Sequence, residues 1–319
     1  MIVYIIPFIV TFFAVIVYDV CKFQDNNGKF LIWIGLYVYL LSLIGLRYMV
    51  GGDSYVYMLY FNNLSPSGLL DISWDSDFQP FFVFLVNLSK VIYPSFTSFQ
   101  ILHAFIITSC LFYFIAKNSE YRFTTLFLCL FMFYINFTVE ILRESLAIMV
   151  FIYNYKNLEN KKWVSYYIGV FLAIMFHLSA VFLIVLPFLK FLRLNKGYVI
   201  LLVVAFFALN QLNFIFTFFE NVEKINKKVN DYAEASYGWK STLLFFTTRT
   251  LIPVGLFLWG KVKFNISIKY ESLICVFGFL GVCSIFNTII FTRFTNYIML
   301  FYCIALADVL IPFFRLKVL

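Results

Sequence analysis

Apolar runs of about 15–20 residues recur along the chain, and short charged clusters separate them. The runs fall near 2–18, 30–46, 78–93, 99–116, 123–138, 141–155, 164–176, 178–189, 198–217, 241–259, 271–290 and 294–313. That rhythm leaves few folds open. A compact soluble domain of 319 residues cannot hide a chain that is 63% hydrophobic and only 13% charged. The pattern predicts an all-α, polytopic transmembrane helical bundle with about 11–12 membrane helices. No internal repeat or low-complexity linker appears, so a single integral membrane domain over 1–319 is expected. Met1–Tyr18 lacks a basic leader and a small-residue cleavage site, and reads as the first span.

The net charge of +8 does not point to nucleic acid, because the basic residues are spread in twos and threes over the loops. Six cysteines, Cys21, Cys110, Cys129, Cys275, Cys283 and Cys303, form no CxxC pair and read mostly as packed thiols. Fifteen of the 24 Lys and Arg residues sit in six clusters, from Lys22/Lys29 to Arg315/Lys317. The positive-inside rule places those clusters in the cytoplasm. The segment 47–77, with Asp53, Asp71, Asp75 and Asp77, is then outside, as is 218–240 with Glu220, Glu223, Asp231 and Glu234. Under this orientation the runs 78–93 and 99–116 cannot both cross. The first is shorter and carries Asn87 and Lys90, so it is expected as a re-entrant or interfacial helix; the alternative is that 123–155 holds one long span.

Length adds a second constraint. Lys162 and Lys190 are both expected inside, with 27 residues between them. Each arm is then about 20 Å long against a core of about 30 Å, and the turn near His177 falls short of the outer surface. The hairpin over 123–155 carries Glu140, Arg143 and Glu144 at its apex. Two short hairpins with polar apices would make an outward cavity sunk into the outer leaflet, suited to a lipid-linked substrate.

Ionisable residues within apolar spans are functional candidates by default. Arg143, with Glu140 three residues before it on a shared helix face, reads as a phosphate- or pyrophosphate-binding fork, or as half of a structural ion pair. Arg293, Arg249 and Arg47 are further candidate ligands; interfacial anchoring is the alternative for each. His177, with Ser179 two residues on, suits a general base or a donor to a leaving phosphate. Asp53 follows Gly51-Gly52 and is a candidate base; the competing reading is a solvated turn. Tyr55, Tyr57, Tyr60 and Phe61 after it argue for an interfacial helix, and such aromatics also stack on sugars. The chain lacks a Walker A, a GxGxxG, an HExxH, a GxSxG and any metal-ligand spacing, which argues against ATP hydrolysis, zinc proteolysis and triad hydrolysis.

Taken in order, the pieces match a pattern. They are Arg47-Tyr48 with Gly52-Asp53 and Tyr57; Phe78-Gln79-Pro80-Phe81; Leu142-Arg143-Glu144-Ser145-Leu146-Ala147; Phe176-His177-Leu178-Ser179-Ala180; and Arg293-Phe294. This ordered set resembles the EpsG family, a branch of the Wzy-type O-antigen and capsule polymerases. The chain departs from the family's usual residues at Gln79, where Glu is common, and at Glu144, where Gln is common. The resemblance implies a glycosyltransferase of the bacterial inner membrane that joins undecaprenyl-pyrophosphate-linked repeat units on the outer face. It implies a lipid-linked glycan as donor and another as acceptor, with a flippase and a chain-length regulator as partners. No cofactor and no metal are expected, since a lipid pyrophosphate is already an activated leaving group. The expected roles are Arg143 and Arg293, helped by Arg47 or Arg249, on the pyrophosphate; Asp53 or His177 on the proton; and Glu140, Glu144 and Tyr57 in support. A flippase or transporter and a glycan ligase are the rival readings.

Overall fold

The computed structural model describes residues 2–64, 78–211, 239–264, 267–284 and 287–318, and the regular structure among them is all helical. The acidic residues expected outside at Asp71, Asp75, Asp77, Glu220, Glu223, Asp231 and Glu234 lie outside the described residues. Among the described residues, five helices are long and apolar enough to cross a membrane. The pair Thr288–Asn296 and Met299–Arg315, bent by 67°, makes a sixth if taken as one span. Four more apolar helices have 10–17 residues, so several of the expected runs are helical yet too short to cross alone. The chain is a multi-pass membrane helical bundle. It divides into two compact units, Met1–Ile184 with Leu310–Leu319, and Val185–Val309.

In the first unit, α1 (Ile2–Ala14) runs on into a π-helical turn, Val15–Val20. Asp25 then caps α2 (Asn26–Gly45) by accepting from Gly28 N at 3.0 Å. After α2 comes a short polar strap, then α3 (Ser54–Asn63). Pro80 opens α4 (Pro80–Ile92), where its missing N–H is no loss and its fixed φ suits the first turn. These 13 residues reach about 20 Å, short of a hydrocarbon core of about 30 Å. Ser95 caps α5 (Phe96–Asn118), which lies antiparallel to α2. Trp33 meets Phe112 at 4.7 Å near one end of that pair, and Gly45 lies against Ile101 at the other.

The first hairpin rises through α6 (Arg122–Cys129), a π turn (Leu130–Tyr134) and α7 (Ile135–Val139), and returns as α8 (Leu142–Glu159). α9 (Trp163–Ile174) packs along α8 at close range. A Cβ on Gly169 would fall 2.3 Å from Asn154 Cγ, so only glycine fits there. The Asn154 amide donates to the Tyr166 carbonyl at 2.8 Å, across that contact. The return from His177 is a 3₁₀ helix, Leu178–Ile184, held by the Tyr166 hydroxyl donating to Leu183 O at 2.7 Å.

The second unit holds α10 (Leu186–Leu189), α11 (Lys196–Gln211), α12 (Trp239–Phe246), a π turn (Thr247–Leu251), α13 (Ile252–Phe264), α14 (Glu271–Cys283), α15 (Thr288–Asn296) and the first part of α16 (Met299–Val318). Its core is the buried faces of α14 and α16, where Phe277 stacks on Tyr302 at 4.8 Å. Glu271 gathers the polar end: it accepts from Lys261 Nζ and from Leu194 N, both at 2.7 Å.

Candidate functional site

At the apex of the first hairpin the chain leaves one helix and enters the next across two residues. α7 ends at Val139, Glu140 and Ile141 leave the helix, and α8 begins at Leu142. Glu140 and Arg143 therefore do not share a helix face, and the expected pairing is corrected. The Glu140 carboxylate turns instead to the strap, where Gly52 N–H donates to both its oxygens at 3.1 and 3.0 Å. Gly51 makes this approach sterically tenable. Its φ is +107°, and a Cβ there would lie 2.6 Å from Val139 Cγ1 and 2.8 Å from the Val139 carbonyl oxygen.

Arg47 sits beneath the strap, only 5% exposed. Its Nη1 donates to the Ile44 carbonyl at 2.8 Å. Its Nε and Nη2 are buried with no hydrogen-bond partner among the described residues. Burial pushes this guanidinium down to about 10, with Tyr4 and Glu140 acting in the other direction, so it stays charged at neutral pH.

Arg143 stands at the second position of α8, half-buried. Its Nη1 donates to Gln79 Oε1 at 3.2 Å, its Nε reaches the Tyr57 hydroxyl at a long 3.4 Å, and its guanidinium lies 4.7 Å over the Phe78 ring. One cation thus joins α3, the start of α4 and α8. Glu144 beside it is buried in the first turn of α8, where a carboxylate is favoured by the helix dipole.

His177 is tied to the same region through α4. Phe81 N–H donates to the Met175 carbonyl at 3.0 Å, and the Phe81 and Phe176 rings meet edge to face at 5.5 Å. Ser179 N–H donates to His177 Nδ1 at 3.1 Å, with Ser179 Oγ at 2.7 Å from the same nitrogen. An Nδ1 that accepts a backbone N–H leaves the proton of the neutral ring on Nε2. Asp53 occupies the N-cap position of α3 but makes no capping bond, and its exposed carboxylate has no hydrogen bond among the described residues.

In the first unit, contacts join Arg143 with Tyr57 and Gln79, and Glu140 with Gly52, and the His177 turn meets the start of α4 through Phe81; Arg47 and Glu144 are buried, and Asp53 stays exposed at the start of α3. Two residues in this network were not among the sequence candidates. Gln79 carries the Arg143 contact, and its place before Pro80 in the matched pattern was the available signal. His103 is fully buried in α5, and its Nε2 donates to the Leu142 carbonyl at 3.0 Å, bracing the start of α8. Nothing in its apolar run marks that role.

Arg249 and Arg293 belong to the second unit. Arg249 lies in the π turn, 5.0 Å from the Phe245 ring and 5.6 Å from the Phe277 ring, with Nη1 donating to Met299 Sδ at 3.1 Å. Arg293 is half-buried in the last turn of α15. Among the described residues no group of three His, Cys, Asp or Glu side chains is arranged to hold a metal ion.

The EpsG family model fits residues 30–318, nearly the whole chain. No curated protein and no solved structure matches.

Proposed function

The chain belongs to the EpsG family of Wzy-type polymerases and polysaccharide-biosynthesis proteins, and from that premise we propose that it lengthens a glycan carried on undecaprenyl pyrophosphate. The observation that carries this reading is the meeting of four motif segments in one unit: the Gly51-Gly52 strap, Gln79, the Glu140–Arg143 apex and the His177 turn. A membrane protein gathers such polar groups at the cost of burying them, which favours a polar ligand over a packing role.

In the proposed reaction, the hydroxyl of an incoming lipid-linked repeat unit attacks the anomeric carbon of the growing chain. A new C–O bond forms as the bond to the pyrophosphate oxygen breaks, and undecaprenyl pyrophosphate leaves. Arg143 meets the charge that grows on the leaving group. The orphaned donors of Arg47 support a second contact to the same anion. The hydroxyl proton passes to a base. His177 holds its Nδ1 lone pair against Ser179, so Nε2–H is a donor, and this favours Asp53 as the base and His177 as a hydrogen-bond donor to the departing phosphate. The spread of Lys and Arg favours an outward-facing site in the bacterial inner membrane. Arg249 and Arg293, in the second unit, have proposed phosphate-binding roles of their own, tested by Arg249→Ala and Arg293→Ala separately. Donor and acceptor glycans, the flippase and the chain-length regulator are its proposed partners.

The test is Arg143→Ala and His177→Ala, each at matched membrane level in a strain lacking its own gene. Loss of one electrostatic donor lowers such rates by about 10²–10³-fold, so long glycan chains should vanish from both. Chains of normal length from either variant reject that residue's role. A purified protein that moves labelled lipid-linked oligosaccharide across vesicles but never lengthens it would reject polymerisation itself.

A further inference from the structure

At the end of the α2–α5 pair remote from Arg47, the first unit contains a cavity of about 460 Å³. The length of α2, 20 residues, sets it about 30 Å from the strap, roughly one hydrocarbon thickness. Lys29 and Arg122 supply two cations to its wall, Glu120 one carboxylate, and Phe30, Trp33 and Phe123 the apolar surface. Among the described residues none of the three charged side chains makes a hydrogen bond or an ion pair; Lys29 alone feels a neighbouring charge, that of the Asp19 carboxylate. The frame around them is fixed. Phe123 packs against Tyr18 at 5.4 Å and Trp33 at 5.7 Å, and the Asp19 carboxylate accepts from Thr124 N at 2.7 Å and from its hydroxyl at 2.8 Å. α2 and α6 both begin at this cavity, and their N-terminal ends add partial positive charge.

We propose that this cavity binds the headgroup of a zwitterionic phospholipid bearing a primary ammonium. The phosphate lies between Lys29 and Arg122, the ammonium reaches Glu120, and the glycerol and first acyl carbons run along Phe30 and Trp33. Two cations fit a phosphate, and a carboxylate beside them fits a headgroup that also carries positive charge. Phe30 is 63% exposed, which leaves the apolar wall open to lipid. This assignment is independent of the proposed polymerase chemistry.

The experiment reconstitutes the full chain in nanodiscs holding equal phosphatidylethanolamine, phosphatidylcholine and phosphatidylglycerol, then counts lipids retained after stepwise delipidation by native mass spectrometry. The wild-type chain should keep phosphatidylethanolamine over the other two. Lys29→Gln with Arg122→Gln should lower that retention by about tenfold or more, the scale of a lost charge-assisted contact. Glu120→Gln should keep phospholipid but lose the headgroup preference. Equal retention of the three lipids by the wild-type chain overturns the proposal, as does retention unchanged in the double variant. Displacement of the lipid by millimolar inorganic phosphate also overturns it, and assigns the site to a free anion. If the double variant is not monodisperse, Glu120→Gln decides: a folded protein with the preference intact rejects the site.

Discussion

Two adjacent glycines in the strap should respond in opposite ways to the same added methyl group. At Gly51 the backbone sits at φ +107°, where an L residue is strained by about 1–2 kcal/mol. A Cβ there also enters the space of the Val139 carbonyl oxygen at 2.8 Å and of Val139 Cγ1 at 2.6 Å. Both atoms belong to the end of α7, and a backbone oxygen cannot rotate aside. The strap must lift, and with it goes the bond from Gly52 N–H to Glu140. A hydrogen bond to a charged group contributes about 1.5–3 kcal/mol, and this one is exposed, so the lower end applies. At Gly52 φ is not positive, and the nearest atom to an added Cβ is Glu140 Oε2 at 3.4 Å, ordinary contact with a side chain that can shift.

Gly51→Ala should therefore move Asp53 and Tyr57, the residues directly after the strap, while Gly52→Ala leaves them in place. A displacement of about 1 Å at a reacting group lowers rates by about 100-fold. The assay is the initial rate of glycan lengthening by purified protein on a lipid-linked repeat unit, with thermal midpoint measured beside it. Gly51→Ala should fall by about that factor while Gly52→Ala stays within about threefold of the parent. Equal rates for the two variants, or a fully active Gly51→Ala, would refute the steric argument.

Three other outcomes follow from the same contacts. Arg143→Lys should not restore elongation, because an ammonium cannot hold Gln79 and Tyr57 in parallel; rates within about tenfold of Arg143→Ala are expected in the same assay. Ser179→Ala should lose less than about tenfold, since the backbone N–H still holds His177 Nδ1, whereas His177→Ala loses about 100-fold or more; the two are compared by initial rate. Asp19→Ala strands two buried donors of Thr124 and should destabilise the first unit by about 1–3 kcal/mol for each, with Asp19→Asn milder; a detergent thermal-unfolding series measures this.

Some of this architecture is written locally and some is not. The apolar runs, the apices at Glu140–Arg143 and at His177, and the start of α4 at Pro80 depend on hydropathy and on proline geometry, which neighbouring residues fix by themselves. The number of crossings is less local. Hydropathy marks α4 and α9 as apolar, yet their 13 and 12 residues are too few to cross a bilayer straight. Glu140 shows a different failure. Spacing of three suggests a shared helix face with Arg143 only if the helix continues, and between Val139 and Leu142 no proline or glycine announces the break. Gly51 is the extreme case. Its constraint exists only because Val139, 88 residues away, supplies a carbonyl at the right place. No periodicity carries that information.

The heights of the two apices explain why α4 must begin where it does. From Glu159 to Arg143 along α8 is about 24 Å, and from Trp163 to Ile174 along α9 is about 17 Å. The turn bonded from His177 N–H to Ala173 O carries His177 to about 21 Å, and the two helices lie side by side, so His177 sits about 3 Å nearer their common turn than Arg143. The first residues of α4 span the step: Gln79 meets Arg143, and two residues later Phe81 meets Met175. A ligand held at both apices would then carry its charge at the Arg143 level and its reacting bond toward His177. Shifting the start of α4 by one residue would break one contact or the other, which makes Pro80, placed by no chemistry of its own, the residue that sets the register of the site.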